Sequence, residues 1–221
     1  MAVAALAMTY SYRQHLMWKL YYEPQIDADS ERDIPVTSMP VVTCPEEWVE
    51  ATTGHISFRL PPAMFDQVAV KRSDSVTIFE SQPLMIGVME SQTIDVDNTP
   101  VLSIAKNLYP HESPLSWIDF RKELYEVQLR DFSWSMSADD VAWHSFCASL
   151  RLGHAGDFVE VYRSHQGEGL LVVEGCRATF QWHAIGSTRY ITLLYNTNSS
   201  NGLNMDMVRA ICHSIDSNEE K

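Results

Sequence analysis

Gly169-Leu170-Leu171-Val172-Val173-Glu174, Arg177-Ala178-Thr179-Phe180-Gln181-Trp182-His183 and Tyr190-Ile191-Thr192-Leu193-Leu194-Tyr195 follow one another closely near the C-terminus. Each run is rich in β-branched or aromatic residues, and turn residues separate them: Gly175 after the first, residues 184–187 after the second. A three-strand meander is the economical reading. Beyond it, Val208, Ile211, Cys212 and Ile215 recur at i, i+3, i+4 and i+7, a stripe that only a helix lays on one side. A sheet must cover one of its faces, and this helix is the nearest cover.

Working outward, residues 158–163 form a further strand, and two helices fill the middle of the chain. Ser116 with Asp119 has the form of a capping box ahead of Trp117, Phe120, Leu124 and Val127. Ser137 with Asp140 repeats that opening for Trp143, Phe146, Cys147 and Leu150, closed by Gly153. Earlier still, residues 55–60, 68–71, 76–80 and 84–89 are short strand runs, 95–98 a loop and 101–105 a possible strand. The order of strands, helices, meander and final helix gives an α+β fold: an antiparallel sheet covered by two mid-chain helices and a C-terminal helix. One domain over 51–216 is expected, with a polar tail at 217–221.

The chain has 221 residues, 45% of them hydrophobic, enough for one substantial core and an appendage. A net charge of −13 argues against nucleic acid, which needs clustered Lys and Arg to neutralise phosphates. It suits a protein kept from self-association or one that meets a basic protein partner. The four cysteines, Cys44, Cys147, Cys176 and Cys212, have no C-x-x-C spacing and are expected to be core or free thiols.

The appendage is the first 22 residues, an Ala-rich apolar start followed by aromatic residues, with Arg13, Gln14, His15 and Lys19 interspersed. A helix ending before Pro24 is expected. A membrane span needs about 20 apolar residues, and the run before Arg13 is only about 12, so it cannot span alone. A cleaved signal peptide would place positive charge ahead of the apolar run, not after it. The remaining readings are an interfacial helix, the latter part of a span that begins upstream of Met1, or a helix docked on its own domain or a partner. Leu6, Tyr10, Leu16, Met17, Trp18, Leu20 and Tyr21 are the candidate membrane or partner contacts. Residues 23–50 hold eight acidic residues against Arg32 alone, with Pro24, Pro35, Pro40 and Pro45, the composition of an extended linker.

No nucleophile elbow, phosphate loop, zinc-protease or dinucleotide motif is present in the sequence. His144 and Cys147 share a helix face, but Cys147 belongs to the apolar stripe. Cys176 and His183 are seven apart, which points them to opposite faces of an unbroken strand. Cys212 and His213 diverge by about 100° on a helix. Asp139 and Asp140 suit a helix first turn, and Glu168, between Gly167 and Gly169, is expected in a turn. No cofactor or metal set converges. Asn198-Ser199-Ser200 fits a glycosylation acceptor, but Asn196 to Asn204 is better read as the turn into the last helix, with Asn204 its N-cap.

An opening strand that runs into proline, Ile56-Ser57-Phe58-Arg59-Leu60-Pro61, mid-chain helices, and a meander feeding Met207-Val208-Arg209-Ala210-Ile211-Cys212-His213-Ser214-Ile215 resemble the Mog1/PsbP/DcrB-like group of α+β domains. The resemblance covers residues 50 to 216 in element order and transfers no site residue. It implies a non-catalytic accessory or binding protein, often attached to a membrane or larger assembly. The sequence thus favours a non-enzymatic interaction protein, cytoplasmic or membrane-associated. The alternatives are an enzyme using His144, His183 or Glu168 as acid–base groups, and an acidic neutralising partner of a basic protein.

Overall fold

The computed structural model describes residues 2–26, 34–53, 56–66, 71–72, 76–81, 84–92, 117–129, 132–153, 156–185, 189–198 and 202–217. Its backbone divides into two compact units, Met1–Ile34 with Ile94–Gly156, and Pro35–Thr93 with Asp157–Lys221. The protein is mixed α+β with a large, mostly antiparallel sheet. The expectations at 68–70, 95–98 and 101–105 and the cap at Ser116 lie outside the described residues.

The second unit is built from strands. They are β1 (Val36–Ser38), β2 (Val49–Thr53), β3 (Ile56–Leu60), β4 (Lys71–Arg72), β5 (Val76–Ser81), β6 (Leu84–Gln92), β7 (Phe158–Arg163), β8 (Gly167–Glu174), β9 (Arg177–Ala184), β10 (Arg189–Thr197) and β11 (Asp216–Ser217). A short helix α2 (Ala63–Asp66) follows β3. The large sheet runs β1-β7-β8-β9-β10-β6-β5-β4, and a small one runs β11-β3-β2. Only β1 joins its neighbour in parallel; the other described pairs are antiparallel.

Tight turns hold the meander. Glu174 faces Arg177, so Gly175 and Cys176 alone reverse the chain, and Gly175 takes φ +56°, where a side chain is strained. Its N–H donates to Asp157 Oδ2 at 2.7 Å. Glu168 is a correction to the sequence reading: it lies in β8, not in a turn. Its flanking glycines look like turn residues but serve packing. A Cβ on Gly169 would sit 2.4 Å from Phe180 Cζ, and one on Gly167 would sit 2.6 Å from the Trp182 ring.

Residues 36–38 also depart from the expected linker. Val36 and Thr37 favour extended backbone, and β7 offers an open edge: Val159 N–H donates to Pro35 O and Met39 N–H to Val161 O, each at 2.8 Å. At the other end, Ser217 pairs with Ile56 and so belongs to a strand.

The C-terminal helix, here called helix Met205–His213, forms as the sequence predicts, with Asn204 Oδ1 accepting from Met207 N–H at 3.2 Å. Val208, Ile211 and Cys212 enter one core with Phe58, Phe79, Ile86, Phe180, Leu193 and Tyr195. Phe58 meets Phe79 edge-on at 5.7 Å, joining the small sheet to the large one. On the same side Arg209 donates to both oxygens of buried Glu160, at 2.6 and 3.0 Å. This fork satisfies a carboxylate that would otherwise be strongly destabilising.

The first unit is helical: α1 (Ala2–Met17), a π-helical turn Trp18–Tyr22, a 3-10 turn Glu23–Gln25, and helices Trp117–Glu126 and Ala138–Gly153. Helicity does not halt ahead of Pro24, because proline is accepted at the first positions of a new turn, where its missing N–H has no partner to lose. The second mid-chain helix has the expected capping pair, Asp140 N–H to Ser137 Oγ and Ser137 N–H to Asp140 Oδ2, both 3.1 Å. Its stripe of Val141, Trp143, Cys147 and Ala148 shares a core with Trp18, Leu124 and Leu129.

Gly169→Ala should lower unfolding free energy in urea by about 1–3 kcal/mol through overpacking against Phe180. Gly87→Ala, whose nearest new neighbour is Leu194 Cβ at 3.7 Å, should change it by less than about 1 kcal/mol. Equal losses at the two positions would contradict the ring-over-glycine account.

Candidate functional site

Alanine-rich sequence makes α1 a helix with little side-chain entropy lost. At its end the backbone widens: Glu23 N–H donates to Trp18 O, closing a π turn. That turn separates two sets of aromatic residues. Trp18 points inward and is 1% exposed, whereas Leu20 is 75%, Tyr21 56%, Tyr10 48% and Met17 45% exposed. Leu16 is half-buried. Leu6 lies on α1, and its side chain is outside the described ones. Of the candidate contact residues, the structure therefore removes Trp18 from the surface and leaves Tyr10, Met17, Leu20 and Tyr21 on it. Arg13, on the same outward side by helical spacing, is exposed with them.

The inward face is an aromatic lock that the sequence reading did not identify. Trp18 stacks on Phe132 at 5.2 Å between ring centres, with His144 edge-on at 5.9 Å. One turn earlier, buried His15 stacks on Trp134 at 5.3 Å and meets Phe132 edge-on at 5.7 Å. His15 Nδ1 donates to Ser11 O at 2.8 Å, since a carbonyl oxygen can only accept. Lys19 packs its ammonium over Phe132 at 5.0 Å and is paired with Glu23. The only sequence signal for this lock is Phe132 and Trp134 sitting in a short polar loop.

The acid–base candidates sort differently. His144 belongs to the helical unit, with Nδ1 bonded to Asp140 O at 2.9 Å. In the sheet unit, Glu168 stands directly opposite His183, and His183 directly opposite Tyr190. Arg163 opposes Glu168 on the other side. Alternation along the strands places all four on the face turned away from Phe180 and Ile191. Glu168, His183 and Tyr190 are half-buried.

Burial holds two of the thiols, Cys44 and Cys212, above their ordinary pKa. All four cysteines are free. Burial pushes Cys212 up to about 12, and its Sγ lies 3.5 Å from the hydroxyl of Tyr195, itself pushed up by burial. Cys147 is buried, and Cys176 sits in the β8–β9 turn rather than on a strand with His183. Among the described residues, no group of three or more His, Cys, Asp or Glu is placed to hold a metal ion. Among them too, no helix is long and apolar enough to cross a membrane.

Because one side of the element is locked and the other open, Trp18→Ala should destabilise the protein by about 3–5 kcal/mol, and Leu20→Ala by no more than about 0.5 kcal/mol. Chemical denaturation followed by circular dichroism measures both, and comparable losses would show that Leu20 is also a packing residue. No protein-family model matches the chain, and no curated protein matches it, so the meaning of the site rests on its own residues.

Proposed function

We propose that this is a non-enzymatic accessory or interaction protein that attaches to a membrane or a larger assembly through the outward face of α1 and its π turn. One observation carries the reading: Tyr10, Met17, Leu20 and Tyr21 stay exposed on an element whose opposite side is fixed by Trp18. Large apolar groups held outward by a rigid backing are a preorganised contact surface. The resemblance to the Mog1/PsbP/DcrB-like group points the same way, and cover of the sheet by the mid-chain helices, read from the order of elements, is part of the same proposal. Deleting the N-terminal segment is a poor test, because it would remove Trp18 from its core. Surface substitution avoids this. A variant combining Tyr10→Ser, Met17→Ser, Leu20→Ser and Tyr21→Ser should keep its Tm within about 3 °C and lose co-fractionation with membranes or large complexes. Identical fractionation of variant and native chain would remove the proposal.

A second reading, an enzyme with a dispersed acid–base site, is favoured by one observation, the register of Glu168, His183 and Tyr190. Glu168 would orient the His183 imidazole, leaving its far nitrogen to take a proton. The full chain should be screened against ester, amide and phosphoester substrates. Turnover lost in both Glu168→Gln and His183→Gln but kept in His144→Gln supports this reading; no turnover, or turnover surviving those changes, removes it.

A further inference from the structure

The charge of this protein is not spread evenly. All 29 Asp and Glu residues follow Tyr22, while the segment before them carries only Arg13, Lys19 and His15 as ionisable groups of basic type. Lys19 is already held by Glu23 and Phe132. Arg13 is exposed beside the aromatic stripe. Among the described side chains, the outward face of α1 and its π turn is therefore apolar, phenolic and cationic on a chain that is otherwise strongly acidic.

We infer that the occupant of this face is a lipid surface, on which α1 and its π turn lie flat. This rests on the reading above that the outward face is the contact surface, and it names the partner. Three properties of the face fit lipid. Leu20 and Met17 are flexible apolar chains suited to the boundary between headgroups and acyl chains. Tyr10 and Tyr21 are amphipathic rings, which settle at headgroup depth with the hydroxyl wet. Arg13 adds a cation where anionic headgroups concentrate. Exposed side chains also include Tyr12, which lies about 160° around the helix from Tyr10. Among the described residues no helix is long and apolar enough to cross a membrane. The acidic remainder of the chain is repelled by the same anionic lipids, so attachment is confined to this one element.

The test is flotation of the full chain with extruded vesicles of phosphatidylcholine alone and of phosphatidylcholine containing phosphatidylserine at about 30 mol %. The protein should float with the mixed vesicles and less with phosphatidylcholine. Leu20→Ser should weaken partition about tenfold, as expected for withdrawing one large apolar side chain. Arg13→Gln should weaken it only on the mixed vesicles and reduce its sensitivity to salt. Val41→Ser, at an exposed apolar position in the sheet unit, should change nothing. Failure to float with either vesicle, or flotation indifferent to Leu20→Ser combined with Met17→Ser, overturns the lipid assignment. If flotation fails while the four-serine variant still loses co-fractionation, the partner is a protein and the interaction reading stands. If neither measurement responds, both fall.

Discussion

Strand β10 is the seam on which the sheet unit depends. It pairs along its length with β6 on one side and with β9 over Tyr190–Asn196 on the other, joining the β5–β6 hairpin to the β7–β10 meander. A strand hydrogen-bonded on both edges leaves few backbone groups to water, and alternation then fixes which side chains go inward. Ile191, Leu193 and Tyr195 are buried as a consequence, and Tyr195 reaches Cys212 on the C-terminal helix. A one-residue slip of β10 would turn those three outward and bring Thr192 and Leu194 into the core. The β9–β10 pairing also sets Tyr190 opposite His183, whereas Glu168 faces His183 through the neighbouring β8–β9 pair.

In the helical unit the governing constraint is narrower: one tryptophan must be covered. Trp18 carries too much apolar surface to leave in water, and Phe132, Tyr22 and His144 surround it. Burying it fixes the rotation of α1, and rotation decides what the helix shows outside. The π turn matters here because it inserts extra backbone just where aromatic residues crowd, letting Trp18 and Tyr22 face inward while Leu20 and Tyr21 remain out.

What the sequence made legible follows from how local each signal is. The meander, the last helix with its Asn204 cap and the Ser137–Asp140 pair depend on neighbours in the chain, and those were readable in advance. Gly167 and Gly169 suggest a turn at Glu168, but their reason is the rings of Trp182 and Phe180 from the next strand. Strand β1 was hidden by its prolines and acidic surroundings, since three residues acquire strand structure only from the edge of β7. At the candidate surface the first 22 residues show an apolar and aromatic set, but not which of its members face inward. That is decided by Phe132 and Trp134, far along the chain, and no periodicity within the first 22 residues encodes it.

Net charge and the exposed stripe answer one physical problem. An outward row of Tyr10, Met17, Leu20 and Tyr21 would draw copies of the chain together through the hydrophobic effect. A charge of −13, all of its acidic groups lying after residue 22, opposes that approach by repulsion between the bodies of two copies. The repulsion acts over roughly a Debye length, about 8–10 Å at ordinary ionic strength, whereas the apolar attraction needs contact. Two identical chains therefore meet the barrier before they meet the attraction. A surface without that negative charge presents no such barrier, which is the condition under which the proposed contact would form.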